Sequence, residues 1–296
     1  MSLLYSFAFW FPAVSLAVLL AERLVPWRQQ RLLRPQLLQD IFWFGFNGYL
    51  NRHAFGWLFL AITTWIAASF EQTVGLAPRE VGLVAGAPLW AQVALLLVVS
   101  DFLEWLIHNA LHRVPALWAF HRIHHSIHTM DWIGNYRFHW MEAVVYRSLK
   151  YLPLTLLGVE YTAVLVVAVI LLTIGHLNHS NLNISWGPLR YVLNSPRMHI
   201  WHHDTQIRGT AGVNFAVIFS LWDWLLGTAY MPAGPRMPER LGFKSDDRLP
   251  ENILWRFFIP FLDRRPADVE GPADQTQARD ASPQNDQPVS SEDETG

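Results

Sequence analysis

The chain has 296 residues, of which 52% are hydrophobic, and a formal net charge of −2. The hydrophobic residues come in long blocks, which predicts a membrane protein, and the near-zero charge gives no electrostatic basis for binding nucleic acid. The absence of cysteine excludes disulfides, thiolate metal sites and iron–sulfur clusters. Redox chemistry in this sequence would therefore depend on histidine.

Four hydrophobic blocks, residues 3–20, 38–70, 88–107 and 144–175, approach or exceed the roughly 20 residues that cross a hydrocarbon core as a helix. The first block has no basic stretch before it and no small-residue cleavage site after it, which predicts a retained helix rather than a signal peptide. The second block contains a polar segment, residues 47–53, where the pattern allows either one long helix or a broken one.

Basic residues predict the orientation of these blocks. The loop after the first block carries Arg23, Arg28, Arg31 and Arg34, which by the positive-inside rule places it in the cytoplasm. Successive crossings then bring His108, at the end of the third block, to the cytoplasmic face. Arginine outnumbers lysine twenty to two, which favours a GC-rich bacterial genome. We therefore expect a bacterial inner membrane protein, or one of the endoplasmic reticulum if the source is eukaryotic.

The fourth block is too long for a single crossing. As one helix of about 33 residues it would measure about 50 Å, against a hydrocarbon core of about 30 Å. Gly158, followed by Val159 and the charged Glu160, interrupts it near the middle. We predict a hairpin of two shorter helices that turns at Gly158 and returns both of its ends to the cytoplasmic face.

Histidines mark a candidate metal centre, because twelve of the thirteen lie between His108 and His203. They form the motifs HNALH (His108, His112), HRIHH (His121, His124, His125), HLNH (His176, His179) and HIWHH (His199, His202, His203). Offsets of three and four place side chains on one helix face, and in HxxHH they fan over roughly 100°, wide enough to serve two ions. Because four ligands saturate one zinc, these ten candidate ligands predict two metals.

The other histidines and the carboxylates are given supporting roles. We interpret His53 as structural, and His128 and His139 as groups that line the site. A metal-bound imidazole usually donates its other N–H to a carboxylate or a carbonyl. The candidate carboxylate partners are Glu104, Asp131, Glu142, Asp204 and Asp223. Asn214 is a further candidate for orienting a water or a histidine.

The rest of the chain is predicted to form a cap and a tail. Residues 179–262 have short, interrupted apolar runs, typical of a cytoplasmic cap with amphipathic pieces. Ser195 and Pro196 predict a helix start that would carry His199, His202 and His203. Residues 263–296 are polar, acidic and without aromatics, which predicts a disordered tail.

The order HxxxH, HxxHH, HxxHH on a hydrophobic chain resembles the fatty acid hydroxylase superfamily, also called the sterol desaturase family. The resemblance covers residues 100–231 and includes DFLEWLIHNALHRVPALWAFHRIHH, NSPRMHIWHHD and NFAVIFSLWDWLLGT. Part of it, HSNLNISWGPLRYVLNSPRMHIWHH, is also similar to the alkylglycerol monooxygenase branch. The resemblance implies a membrane-bound, histidine-ligated di-iron enzyme that uses O2 to hydroxylate or desaturate a lipid such as a fatty acyl, sterol or ether lipid.

It also implies an electron donor. The HPGG haem motif of the cytochrome b5 domain fused to some family members is missing from this sequence. We therefore expect a separate electron-transfer protein, either a ferredoxin or a cytochrome b5-like protein with its reductase.

The sequence thus predicts an all-α integral membrane protein of about four transmembrane helices, with a helical hairpin and a cytoplasmic helical cap that holds a dimetal site. Residues 1–262 would form the hydroxylase domain. Two alternatives have no oxygenase activity. One is a histidine-rich metal transporter, whose ligands would be strung along a transmembrane path, and the other is a zinc-binding membrane protein.

Overall fold

The computed structural model describes residue 4, residues 6–244, residue 246 and residues 249–262. These residues form helices joined by turns and loops, with one isolated antiparallel bridge between Asp204 and Leu241. The predicted all-α class is therefore confirmed. The acidic tail predicted over residues 263–296 lies outside the described residues.

Four helical segments of the described chain are long and apolar enough to cross a membrane. They are α1 (Phe7–Leu24), α2 (Leu37–Gly45) with α3 (Asn51–Val74), α5 (Leu89–Arg113) and α8 (Tyr161–His179). Large apolar side chains of α3 project outward, with Trp57, Leu60 and Trp65 between 64% and 70% exposed. Such a face suits lipid rather than water, and the chain is an integral membrane protein.

The remaining helices are shorter and mostly join or cap the long ones. They are α4 (Pro78–Val81), α6 (Pro115–His125), α7 (Trp140–Leu157), α9 (Pro196–His199), α10 (Leu221–Leu225), α11 (Ile253–Arg256) and α12 (Ile259–Leu262). Ser195 caps α9 by accepting a hydrogen bond from the Met198 N–H, and Pro196 occupies the first turn, as predicted.

The polar segment of the second block remains helical. Residues 46–50 form one π-helical turn that connects α2 to α3 without a break. In this turn the Asn47 side-chain amide donates to the carbonyls of Tyr136 and Phe138 at 2.9 and 2.8 Å. The polar residues therefore mark a π-bulge that binds a neighbouring loop.

The fourth block breaks at Gly158, as predicted. This glycine ends α7 with a φ of 64°, and a Cβ added to it would lie 2.6 Å from the Gly82 Cα, so a side chain has no room. Both α7 and α8 pack against α5. Glu142 near the start of α7 and His179 at the end of α8 both contact histidines of α6, so the two ends of the hairpin meet at one face.

A buried ion-pair network anchors the segment between α6 and α7. Arg34 pairs with Asp40 and Asp131 at 2.7 and 2.6 Å, and Arg137 pairs with Asp40 at 2.6 Å. Arg34, which we counted among the arginines that mark a cytoplasmic loop, therefore has its charge balanced inside the protein. Arg23, in the last turn of α1, and Arg31, in the loop after it, are exposed.

Candidate metal centre

Four helices bring nine of the ten predicted ligands together. The last turns of α5 carry His108 and His112, α6 carries three histidines, α8 ends with His179, and α9 and the turn after it carry the remaining three. All nine side chains are buried, with exposed fractions between 0% and 8%. Because these helices all end at one face, the histidine motifs converge there.

The nine histidines form two groups, in each of which the ligand atoms lie within 4.8 Å of one another. Group A is His108, His112, His121, His125 and His202. Group B is His124, His179, His199 and His203. Sequence neighbours fall in different groups, since His124 faces group B and His125 faces group A, and His203 and His202 divide in the same way. The histidine side chains of each HxxHH motif thus spread over two groups, as expected from their helical offsets.

Hydrogen bonds fix the tautomers in group A. The Nδ1–H of His108 donates to the Phe215 carbonyl at 2.7 Å, and that of His202 donates to the Val213 carbonyl at 2.8 Å. Because a carbonyl can only accept, Nδ1 carries the proton and each neutral ring presents a bare Nε2. His121 Nδ1 lies 2.7 Å from the Glu142 carboxyl group, which accepts the Nδ1 proton and leaves Nε2 bare when Glu142 is ionised.

The bare nitrogens of group A face each other. His108 Nε2 and His121 Nε2 are 3.1 Å apart, and neither has a proton to donate to the other. Two lone pairs at this distance repel unless a cation lies between or beside them. The donor set therefore fits a metal ion.

Group B has the same arrangement. His124 Nδ1 donates to the Arg137 carbonyl at 3.0 Å, and His179 Nδ1 donates to the Gly175 carbonyl at 2.9 Å. Their Nε2 atoms face each other at 3.2 Å, and His199 Nε2 lies 3.2 Å from His179 Nε2. A cation satisfies these lone pairs as it does in group A.

Several ring nitrogens have no hydrogen-bond partner within the described part of the chain. They are His202 Nε2, His199 Nδ1 and both nitrogens of His203. An unsatisfied buried polar atom costs about 1–3 kcal/mol, so several together need an explanation. A bound metal supplies it for the nitrogens that face the interior of each group.

Electrostatics keep the cap histidines neutral. Burial lowers the pKa of each well below its usual range, and repulsion from neighbouring histidines lowers the pKa further. This applies to His124, His125, His199, His202 and His203. Neutral imidazole is the form that binds metal, so the site is prepared for ligation without loss of protons.

Two carboxylates hold the loop that supplies carbonyls to group A. Asp223 accepts hydrogen bonds from the N–H groups of Phe215 and Ala216 at 2.9 and 3.0 Å. Asp101 accepts from the N–H groups of Ile218 and Phe219 at 2.8 and 2.9 Å. Asp223 was a candidate partner for a histidine, but it acts through the backbone. Asp101 was not among the five candidate partners, although a carboxylate seven residues before His108 lies on the same face of an apolar helix.

Among the five candidate carboxylates, only Glu142 bonds directly to a histidine of either group in the described structure. Glu104 pairs with Lys150, Asp131 with Arg34, and Asp204 with Arg208. The side-chain amide of Asn214 donates to the carbonyls of Met198 and Tyr230, at 2.8 and 2.7 Å, instead of orienting a histidine.

His176, the tenth predicted ligand, lies outside both groups. Its Nε2 is 2.9 Å from the Ser15 Oγ, and its Nδ1 is 3.1 Å from the Asn135 side-chain nitrogen. Because Ser15 donates its own proton to the Phe11 carbonyl, it accepts from His176. Both ring nitrogens are therefore occupied. One helical turn before His179, the side chain points to α1 instead of the metal groups.

The three histidines given other roles also lie outside the groups. His128 bonds to Asp246 through a side chain that is 45% exposed. His139 caps α7 by accepting from the Met141 N–H, and its Nε2 lies 3.0 Å from the Phe257 carbonyl. His53 accepts a hydrogen bond from Arg52. None of these contacts resembles the convergence of the nine.

Cavities reach the groups from two sides. A membrane-side cavity of about 290 Å³ lies between α5, α7 and α8 and is lined by His108, His121, His124, His179 and His199. A cap-side cavity of about 50 Å³ is lined by the other three histidines of group A. Molecules in the membrane-side cavity therefore meet both groups, while the cap-side cavity reaches group A alone.

Comparison with known proteins identifies this region. The ornithine lipid hydroxylase OlsE of Rhizobium tropici is 34% identical over 148 residues, which are 50% of this chain and 44% of the relative. The human cholesterol 25-hydroxylase is 29% identical over 135 residues, which are 45% of this chain and 48% of the relative. The chain thus matches about half the length of these two relatives. No solved structure matches it.

The family model for fatty acid hydroxylase matches residues 93–228. This range contains all nine histidines of groups A and B and the two aspartates that hold the loop beside them. This match supports the fatty acid hydroxylase superfamily, which the histidine motifs predicted.

Proposed function

We propose that this chain is an O2-dependent di-iron membrane oxidoreductase that hydroxylates, or desaturates, a lipid. The observation that carries the proposal is the pair of adjacent histidine groups, in which buried neutral rings direct bare nitrogens at each other. The relatives named above are hydroxylases of an ornithine lipid and of cholesterol, two different lipids. Lipid is therefore the substrate class that the comparisons support.

The donor set and the reaction together favour iron. Zinc has no accessible redox change and is saturated by four ligands, whereas group A offers five imidazoles. Imidazole also suits iron. Iron bound by the two groups would supply the redox change needed to activate O2. Hydroxylation places one oxygen atom in a C–H bond and releases the other as water, which requires two electrons and two protons from a donor.

The chain's own residues hold and shield this site. Glu142 fixes His121, and the carbonyls of Phe215 and Arg137 fix His108 and His124. Partners of this kind orient the ligand nitrogens and raise their basicity. A lipid in the membrane-side cavity would contact histidines of both groups, and the surrounding apolar helices would exclude bulk water.

The transporter alternative fits the geometry poorly. A metal path would need ligands at successive depths, but the nine histidines converge at one end of the helices. A zinc protein would fit group B by ligand number, since group B has four imidazoles, but would leave the fifth imidazole of group A unexplained.

The proposal extends to the partner and the location. Hydroxylation consumes electrons, for which we propose a separate ferredoxin or a cytochrome b5-like protein with its reductase. The exposed Arg23 and Arg31 support a cytoplasmic orientation of the cap, and we propose the bacterial inner membrane. Residues 1–262 would form the hydroxylase domain.

Lipid analysis of cells with and without the gene, grown under labelled oxygen, tests the reaction. We expect a lipid that carries the label only in cells with the gene. An unlabelled product with a new double bond would indicate desaturation instead. The His124→Ala variant should make no product, and His128→Ala should match the wild type; normal activity of His124→Ala would contradict the assignment of group B.

A further inference from the structure

Two cavities meet between α5, α7 and α8. The membrane-side cavity touches the histidines, and an apolar cavity of about 640 Å³ extends from it to Gly158 at the far end of α7. Arg147 and Lys150 line both, so the two cavities are neighbours along α7. Together they are large enough for a lipid headgroup with part of its chain.

The charge and polarity of the lining change from the membrane-side cavity to the apolar cavity. Next to the histidines the wall includes the Glu104–Lys150 ion pair, Arg147 and Asn178. Toward Gly158 the lining becomes largely apolar, apart from the exposed Arg79. Residues that contribute there include Leu96, Leu154, Val159, Val167 and Leu171. An enzyme that oxidised the middle of a hydrocarbon chain would need an apolar wall beside its metals, and here that wall is charged.

One positive charge in this wall is not balanced. Glu104 pairs with Lys150, and Glu142 accepts from His121 and from the His139 N–H. Arg147 has no hydrogen bond or ion pair with any described residue, and its charge repels that of nearby Arg52. An unpaired charge among membrane helices is costly and typically marks a ligand site.

We propose, on the basis of the function proposed above, that the substrate is a lipid with an anionic headgroup that enters head-first. Arg147 pairs with its carboxylate or phosphate, and the chain occupies the apolar cavity. Arg147 follows Glu142 by five residues, a helical rise of about 7.5 Å. The headgroup and the carbons next to it therefore lie beside the two histidine groups, while the end of the chain lies far from them.

Arg52 offers a matched control. It lies on α3 close to Arg147, is exposed like Arg147, and has the same charge in the same membrane setting. It is not part of the lining of either cavity. If Arg147 simply extended toward lipid headgroups at the membrane surface, the two arginines would behave alike.

Binding of three probes with the same chain length tests the charge. The full chain in neutral detergent is titrated with radiolabelled palmitate, hexadecyl phosphate and hexadecanol, without reductant or donor protein, at a pH where both anions are ionised. We expect at least one anion to bind about tenfold more tightly than the alcohol, as a charge-assisted hydrogen bond predicts. The two anions distinguish a carboxylate from a phosphate headgroup.

The variants then assign the effect. Arg147→Gln should lose this preference, and Arg147→Lys should keep part of it. Arg52→Gln should bind within about twofold of the wild type, because Arg52 does not line either cavity. Equal binding of all three probes by the wild type, or an unchanged preference in Arg147→Gln, would overturn the proposal.

Photo-crosslinking tests the orientation. Palmitate analogues with a photoreactive diazirine near the carboxylate or at the chain end should label different peptides. The first should label peptides that contain Glu104 or Asn178, and the second those around Leu154 or Val167. The reverse pattern would overturn head-first binding. Neither assay needs a bound metal or turnover. Failure of the assays would contradict the anionic-lipid site without contradicting the oxygenase reaction. A protein that passes both assays but has no oxygenase activity would contradict only the proposed function.

Discussion

Groups A and B are built from the same kind of ligand but face different surroundings. Group A has five histidines, divided between the membrane-side cavity and the cap-side cavity. Group B has four, three of which line the membrane-side cavity and none the cap-side cavity. A molecule in the membrane-side cavity would thus meet both groups, while the cap-side cavity reaches group A alone. Under the proposed function, we expect substitutions in either group to affect the lipid reaction, and substitutions that change the cap-side cavity to act through group A.

The largest effects should come from neighbouring histidines that belong to different groups. His124→Ala and His125→Ala should each remove one metal and lower lipid hydroxylation more than about 100-fold, since even partners of ligands contribute 10–100-fold. Metal analysis of the purified variants, together with product measurement, checks this. His128→Ala is the control. If both variants kept two metals and full activity, the division into groups would be wrong.

A smaller effect is expected from the carboxylate that orients group A. Glu142→Ala frees His121 and should lower metal affinity or activity about 10–100-fold, with Glu142→Gln in between because an amide oxygen still accepts the ring N–H. Titration of the metal content against a chelator measures the affinity. Glu160→Gln, at the exposed start of α8, should not differ from the wild type. Metal loss from group B instead of group A would contradict the predicted division.

Loss of the hydrogen bonds that hold the loop beside group A should lower the stability of the protein more than its activity. Asp223→Asn replaces one carboxylate oxygen with an NH2 group, so either the Phe215 or the Ala216 N–H loses its acceptor and the other loses a charged one. Hydrogen bonds to a charged group contribute about 1.5–3 kcal/mol. We expect Tm in detergent to fall by several degrees, with weaker metal binding in group A than in group B. Glu71→Gln, at the exposed end of α3, serves as control. An unchanged Tm would show that the loop does not depend on Asp223.

The smallest effect should follow substitution of the histidine that neither group includes. His176→Ala breaks contacts with Ser15 and Asn135 and should lower the free energy of unfolding by about 1 kcal/mol while both metals remain. Chemical denaturation and metal analysis measure the two quantities. His179→Ala, three residues later, should lose the metal of group B. Equal metal loss in the two variants would return His176 to the ligand set.

The sequence predicts the parts of this molecule that depend on length and periodicity. The break at Gly158 follows from the mismatch between the hydrophobic block and the membrane, and the convergence of nine histidines follows from helical spacing. The polar segment at residues 47–53 left two possibilities, because the π-helical turn at residues 46–50 has no distinct hydrophobic period. The structure places His176 outside both groups. An offset of three from His179 does not determine which ring faces them.

Partners supplied by the backbone could not be predicted. The carbonyls of Phe215, Val213, Arg137 and Gly175 fix four histidines, but every residue has a carbonyl, so no side chain marks these positions. The candidate carboxylates could be identified in the sequence, but their hydrogen-bond and ion-pair partners depend on tertiary contacts. Only Glu142 among the five candidates contacts a histidine of the groups, and the others pair with cations or backbone N–H groups.

Iron stoichiometry tests the central claim most directly. The full chain, reconstituted anaerobically with ferrous iron and freed of excess metal, should contain about two irons, one for each histidine group. His203→Ala should contain about one, because it disrupts group B and leaves group A intact. A wild-type protein that holds a single iron, or only zinc after reconstitution, would contradict the account.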